Sequence, residues 1–563
     1  MKIVIVGGVA GGATAAARIR RLDEHAEITV FERSGYISYA NCGLPYYIGD
    51  VITDPEELTL QTPESFFQRF RIDMKIHHEV IAIHPDRKTV SVKNLENGEI
   101  FEENYDKLIL SPGAKPAQPK LPGAGIDKLF TLRTVEDTFR IKEYINKNHP
   151  KTAILAGGGF IGLELAENLR ELGLDVTIVQ RSKQLMNPFD PDMAPMIHNE
   201  MRKHGIKLVL GYTVEGFKEK DNGVEVLLKD NPSLHADMVV LAIGVTPDTA
   251  LAKEAGLELG IKGSIVVNER METSVPDIYA AGDAVQVKHY VTGDDTLISL
   301  AGPANKQGRI IADNICGGDS RYLGSQGSSV IKVFDMTAAT TGINETNAKK
   351  SGLEIDTVIL SPMSHAGYYP GGKVMTMKVV FEKETYRLLG AQIIGYEGVD
   401  KRIDVLATAI HAGLKATQLK DLDLAYAPPY SSAKDPVNMA GFMIDNIAKG
   451  TLKQWHLEDM DKISKDKSAV LLDVRTVDEF SRGHIDGFRN IPVDELRERI
   501  NEIEKGKPVY LICQSGLRSY IASRILEGNG YETYNFSGGF RFYDTVVNDR
   551  ALIERAYACG MDY

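Results

Sequence analysis

Lys2-Ile-Val-Ile-Val-Gly7-Gly8-Val9-Ala10-Gly11-Gly12 stands directly after Met1 and joins an apolar run to four glycines beyond it. A short apolar run feeds a cluster of glycines, and Ala13 to Leu22 then has the Ala-rich composition of a helix. A strand, a turn whose glycines let backbone come close to a phosphate, and a helix whose N-terminal N–H groups attract the anion make a dinucleotide-binding unit. A second strand is predicted over Glu27 to Phe31. Glu32 ends it about 20 residues after Gly12, where an acidic side chain takes a ribose hydroxyl pair. The middle glycine of the G-x-G-x-x-G pattern is replaced by Val9, although Gly8 and Gly11 still permit close backbone approach.

A second copy strengthens the reading. Ala153-Ile-Leu-Ala-Gly157-Gly-Gly159-Phe-Ile-Gly162 is a full G-x-G-x-x-G, followed by a predicted helix to Leu172 and a strand over Asp175 to Val179. Two such units in one chain predict two dinucleotides. Gln180 and Arg181 end the second strand of this copy, one neutral and one cationic, so little discrimination against a 2′-phosphate is expected. Leu108 to Gly113 and Val239 to Gly244 each read as a buried strand running into a Gly/Pro turn. Thr273 to Ala281 leads into Gly282-Asp283, where an aspartate is placed to hydrogen-bond a polar cofactor chain.

The whole chain has 563 residues, which at ~150 residues per domain predicts three to four domains. Its 43% hydrophobic and 25% charged residues are the balance of a globular protein, which excludes disordered, collagenous and membrane-embedded classes. Apolar runs are strand length, and a strand directly after Met1 predicts no leader peptide. A net charge of −12 opposes nucleic-acid binding and requires a local cation cluster for any polyanionic ligand. The four cysteines, Cys42, Cys316, Cys513 and Cys559, are too scattered for a disulfide framework, so a reducing cytoplasm is the expected setting. No role is expected for Cys316 or Cys559.

In this order the elements resemble the pyridine nucleotide-disulfide oxidoreductases, an α/β class. The resemblance implies an FAD-binding domain (1–115 and 245–325), an inserted NAD(P)H-binding domain (116–244) and an α+β dimerisation domain (326–445), hence a homodimer. It assigns FAD to Gly7, Gly8, Gly12, Glu32, Arg33, Ala114, Gly282, Asp283 and Tyr426, and NAD(P)H to Gly157, Gly159, Gly162, Gln180 and Arg181. A charged stretch (446–466) reads as a linker with a short entry helix. Beyond it, Ala469-Val-Leu-Leu-Asp473-Val-Arg475, Gly483-His-Ile-Asp-Gly487 and Val509-Tyr-Leu-Ile-Cys513-Gln-Ser-Gly-Leu-Arg518 resemble a rhodanese domain (467–563).

Cys42 lies in Ser38-Tyr-Ala-Asn41-Cys42-Gly-Leu-Pro-Tyr46. Dithiol members of the superfamily carry a second cysteine five residues later, where this chain has Tyr47, so the usual internal disulfide is excluded. A solitary thiol beside a flavin cycles through a sulfenic acid or a mixed disulfide. The sulfenate enzymes, NADH peroxidases and oxidases, carry a histidine in the first glycine turn, where Ala10 stands here; they remain the alternative. The Cys42 motif is similar to that of the coenzyme A disulfide reductases. That resemblance implies coenzyme A contacts at Thr14, Arg18, Arg21, Ser38, Asn41, Asn305, Tyr368 and Lys434, the last two reaching across a dimer. Arg18 and Arg21 lie on one helix face, and guanidinium forks suit phosphate. Tyr368 and Tyr426 are implied as catalytic phenols, a phenol beside Cys42 being able to protonate a departing thiolate.

Cys513 follows a strand and precedes a helix, where backbone N–H groups and the helix dipole stabilise a thiolate or persulfide. Its Cys-x4-Arg loop is one residue shorter than the Cys-x5-Arg phosphate cradle and fits a single sulfur atom, with Arg518 closing it. Asp473 and Arg475 are expected to be structural. The combined expectation is an NAD(P)H-dependent flavoprotein that reduces coenzyme A disulfide or persulfide at Cys42, with Cys513 carrying sulfane sulfur. A rhodanese unit that only binds partners is the other alternative.

Overall fold

The computed structural model describes residues 1–117 and 121–558, so Cys559 lies outside the described residues. The chain divides into two compact units, Met1–Lys183 with Gly205–Gly327, and Gln184–His204 with Ser328–Tyr563.

The first unit holds two sheets of the kind the glycine turns predict. The chain lays down β1 (Lys2–Val6), α1 (Ala10–Leu22), β2 (Glu27–Phe31), β3 (Asp73–Lys75) and β4 (Lys107–Leu110). It then builds a second sheet from β5 (Leu129–Thr131), β6 (Thr152–Ala156), β7 (Asp175–Gln180), β8 (Lys207–Leu210) and β9 (Met238–Leu241), with α2 (Phe160–Glu171) after β6; α3 (Ala194–Lys203) follows β7 in sequence but belongs to the second unit. β10 (Ile278–Ala280) returns to the first sheet, and α4 (Ala301–Ile315) packs against α1. The orders are β10-β4-β1-β2-β3 and β5-β9-β6-β7-β8, with every pairing parallel. Ile3, Val4, Ile5, Leu108 and Ile109 are fully buried. Such strands, covered on both faces, must be continuous apolar runs, and this is why they were visible in the sequence.

The second unit contains an antiparallel sheet of β11 (Ser329–Val333), β12 (Met336–Gly342), β13 (Ile355–Leu360), β14 (Met375–Glu382) and β15 (Leu388–Gly395), in the order β11-β12-β15-β14-β13. α5 (Val399–His411) covers β12 and β15, and α6 (Pro436–Ala448) packs on β13. The chain continues with β16 (Gln454–Trp455), β17 (Val470–Asp473), β18 (Arg489–Asn490), β19 (Val509–Ile512), α7 (Leu517–Gly528), β20 (Thr533–Phe536) and α8 (Gly539–Ala558). These strands form a parallel sheet ordered β16-β20-β19-β17-β18.

Two expectations need correction. The stretch 446–466, expected as a linker, contributes β16 to the last sheet. Trp455 is 2% exposed there, packs on Phe536 at 4.4 Å and donates its indole N–H to the Leu511 carbonyl at 3.3 Å. A two-residue strand has no periodicity to read, and its anchor is tertiary. The segment Gln184–His204, expected within the 116–244 domain, belongs to the second unit. There the buried Lys378 ammonium meets Asp190, Asp192 and Glu345 at 3.3, 2.8 and 2.6 Å, and Asp549 of α8 takes His198 at 2.8 Å and Arg202 at 2.5 Å. Partners this distant in sequence leave no local signal. Among the described residues no helix is long and apolar enough to cross a membrane.

Candidate active site

The two glycine turns share one construction. Gly7 has φ +96° and Gly157 φ +120°, and a Cβ on either would lie 2.1 Å and 2.2 Å from the carbonyl oxygens of Ser111 and Ala242. Side chains at Gly12 and Gly162 would strike the Gly7 and Gly157 carbonyls at 1.9 and 2.1 Å, so these glycines let helix close on strand. At the end of the following strand, the Glu32 carboxylate accepts the Gly8 N–H at 2.8 Å and the Ser34 N–H at 2.9 Å. The Gln180 side-chain oxygen accepts the Gly158 N–H at 3.2 Å in the same way. Each carboxylate oxygen of Glu32 keeps a lone pair for a hydroxyl donor. Gly159 has nothing within 4 Å, so the second turn leaves open space where a pyrophosphate would approach. These features fit two dinucleotides.

Around the first turn, Arg33 and Lys115 meet Asp248 at 2.8 and 3.5 Å. Ala114 begins a short strand paired with Val245–Pro247. Gly282 (φ +82°) donates its N–H to Gln307 at 2.7 Å, and the neighbouring Asp283 carboxylate accepts from Arg133 at 2.8 Å. Arg181 is exposed.

Cys42 hangs from the first turn. Ser38, in the left-handed region at φ 45°, donates its N–H to the Gly8 carbonyl at 2.9 Å, and the 3-10 turn Asn41–Gly43 follows. The short helix Leu44–Ile48 comes next and packs on α2. Tyr47 stacks edge-on against Phe139 at 5.6 Å, so the position of a second thiol is occupied by a packing aromatic. The Cys42 side chain reaches solvent but is partly enclosed. Desolvation, then the Glu164 carboxylate, push the thiol up; Arg133 pulls it down and Asp283 adds to the rise. Glu164 itself is pushed up to about 7 by burial and by Glu167, and Tyr46 up to about 12 by burial and the same two acids. Beside Cys42, the buried Asn41 side-chain oxygen has no hydrogen-bond partner.

The expected coenzyme A residues of the first unit partly converge. Thr14 donates its hydroxyl to the Asn305 side-chain oxygen at 2.6 Å, across the α1–α4 contact. Arg18, one turn on, binds Asp313 at 2.8 Å, so its charge is partly committed, whereas Arg21 is exposed. In the second unit, the Tyr368 and Tyr426 hydroxyls hydrogen-bond each other at 2.7 Å, and that bond raises Tyr426. Lys434 is exposed. Cys316 is half-buried against the first core, as a packing residue would be.

Cys513 is 1% exposed at the end of β19. Its sulfur accepts the Gly516 N–H at 3.1 Å and the Ser519 hydroxyl at 3.2 Å, so two donors converge on it. Arg518 closes the loop through a bidentate pair to Glu479, both contacts 2.7 Å, and this holds the Glu479 carboxyl down at about 2. Asp473 and Arg475 form a buried ion pair at 2.7 Å, with the guanidinium 3.7 Å from the Phe540 ring. Sequence reasoning missed Arg133 and Glu164, which reach Cys42 only in three dimensions, and Glu479, which reaches Arg518 in the same way. The Thr476-Val-Asp-Glu479 capping box was the one readable trace, of Glu479 alone.

Comparison with known proteins matches three family models: pyridine nucleotide-disulphide oxidoreductase over residues 1–308, its dimerisation domain over 328–436, and a rhodanese-like domain over 456–544. Coenzyme A disulfide reductase of Staphylococcus aureus (strain NCTC 8325 / PS 47) is 40% identical over 443 residues, covering 78% of this chain and 99% of the relative. The crystal structure of reduced Bacillus anthracis CoADR-RHD is 49% identical with a TM-score of 0.95, covering 98% of both chains. That of a NAD-dependent persulfide reductase from A. fulgidus is 39% identical with a TM-score of 0.90, covering 96% of this chain and 100% of that one.

Proposed function

The chain belongs to the pyridine nucleotide-disulphide oxidoreductases, and on that premise we propose that it reduces coenzyme A disulfide or persulfide at Cys42 with electrons from NAD(P)H. One observation carries the reading: Cys42 is a solitary thiol, with Tyr47 packed where a resolving cysteine would stand and an unsatisfied Asn41 oxygen beside it. A lone thiol completes disulfide chemistry by bonding to half of its substrate. Gly7, Gly12, Glu32 and Asp283 would hold FAD, and Gly157, Gly159, Gly162 and Gln180 the nicotinamide nucleotide; when bound, the two would supply the electron pair that disulfide reduction at Cys42 requires.

The remaining work belongs to the chain's own residues. Cys42 thiolate attacks one sulfur of coenzyme A disulfide; a Cys42–S–S–CoA bond forms and coenzyme A leaves as thiolate. Thr14, Arg18, Arg21, Ser38 and Asn305 are assigned to the phosphorylated end, and Asn41 to an amide donor of the pantetheine arm. The Tyr368–Tyr426 pair protonates the leaving thiolate, and with Lys434 it is assigned to the partner protomer's Cys42 site of a homodimer. Cys513 carries sulfane sulfur on the rhodanese domain.

Intact-protein mass spectrometry tests the reading. Non-reduced protein treated with coenzyme A disulfide is expected to gain one coenzyme A on Cys42 and to lose it on addition of NADH. A sulfenic acid there instead, with peroxide turnover and no adduct, overturns it.

A further inference from the structure

Away from the Cys513 loop, the rhodanese unit has a cavity of ≈ 550 Å³ lined by Arg497, Tyr520, Ile521, Arg524 and Ile525, among others. Four of these five residues lie on α7, whose first turn begins four residues after Cys513. Leu517, Ile521 and Arg524 share one face of that helix at i, i+4 and i+7. Leu517 is 66% exposed and Ile521 41%, so an aliphatic track runs from the cysteine loop toward the arginines. Seven residues at 1.5 Å rise make that track about 10 Å long, within reach of an extended pantetheine arm. Arg497 is exposed and makes no ion pair among the described residues. Arg524 spends one nitrogen on the Thr451 carbonyl at 2.9 Å and on Glu527, leaving its other N–H groups open. In a chain of net charge −12, two guanidiniums over an apolar floor with a tyrosine ring match a ligand with a phosphorylated aromatic head and a neutral arm.

We propose that this groove is a second coenzyme A site, holding the phosphorylated adenosine end at Arg497 and Arg524 while the pantetheine lies along Ile521 and Leu517 toward Cys513. It rests on the reading of coenzyme A as the thiol substrate. Sulfur moves there without net redox change: coenzyme A thiolate attacks the outer sulfur of a Cys513 persulfide, a CoA–S–SH bond forms, and the Cys513 Sγ–S bond breaks. The persulfide proton stays on the transferred sulfur. Cys513 leaves as thiolate, received by the Gly516 N–H and the Ser519 hydroxyl. The reverse step loads Cys513.

The test uses the full chain, its Cys513 loaded with labelled sulfane sulfur from polysulfide, and follows transfer to coenzyme A or to pantetheine without NADH. Wild type is expected to use coenzyme A about tenfold better than pantetheine in kcat/KM, one charge-assisted contact being worth about that factor. Arg497→Glu should remove most of this preference, leave pantetheine within about twofold and leave NADH-driven coenzyme A disulfide reduction unchanged. Equal use of both acceptors by wild type overturns the second site, as does a variant whose oligomeric state shifts while its coenzyme A kinetics do not. Absence of coenzyme A disulfide turnover in wild type overturns the underlying reading and the proposal with it.

Discussion

Cys42, the nucleophile of the proposed reaction, has surroundings that favour its protonated form: enclosure and Glu164 raise it, and only Arg133 opposes them. Glu164 titrates near neutrality, at about 7, so the penalty it imposes is itself pH-dependent. Below that value the carboxyl is neutral and presses little on the thiol; above it, the charge disfavours the thiolate. Glu164→Gln removes the charge at every pH. Iodoacetamide labelling of Cys42 should therefore quicken by roughly threefold to tenfold at pH 8 and change little at pH 6. Equal rates at pH 8 would show that Glu164 does not act on Cys42. None of this was legible in the sequence, because Glu164 lies 122 positions from Cys42 (164 − 42) and reaches it only through the packing of the Leu44–Ile48 helix on α2.

At the scale of elements, the ends of β2 and β7 are the readable part of the site. β1, β2 and β19 have the bounds that the apolar runs predict, since a buried parallel strand must be apolar along its whole length. The same local logic exposed Glu32 and Gln180 as paired positions, and in the structure each accepts the N–H of the second glycine of its turn, Gly8 and Gly158. Gln180 cannot repel a 2′-phosphate as a carboxylate would. The kcat/KM values for NADH and NADPH should differ by less than roughly a hundredfold, about 3 kcal/mol. Gln180→Glu should depress NADPH use about tenfold while sparing NADH. A wild-type preference well beyond a hundredfold would contradict this. What periodicity could not reveal were β16, too short to show a pattern, and the allegiance of α3, fixed by Asp549 and Lys378 far along the chain.

Over the whole molecule, the proposed reading gives two thiols two kinds of bond. Cys42 lies in the unit that carries both glycine turns, and Cys513 in the separate parallel sheet at the C-terminal end. The two dinucleotide-binding units and the rhodanese domain were legible because each bears a local motif, whereas the dimerisation domain followed only from the resemblance. The packing of α8 on α3 was not legible, because it depends on side chains from distant parts of the sequence, as the Asp549–His198 pair illustrates. Direct reduction of coenzyme A disulfide needs only Cys42 in this account. The measurement that tests it most directly is steady-state NADH oxidation with coenzyme A disulfide as the sole acceptor, on wild type, Cys42→Ser and Cys513→Ser. Cys42→Ser should keep its flavin, remain reducible by NADH and lose turnover by at least a thousandfold, about 4 kcal/mol, while Cys513→Ser stays within twofold of wild type. Retention of most turnover by Cys42→Ser, or an equal loss in both variants, would contradict the account.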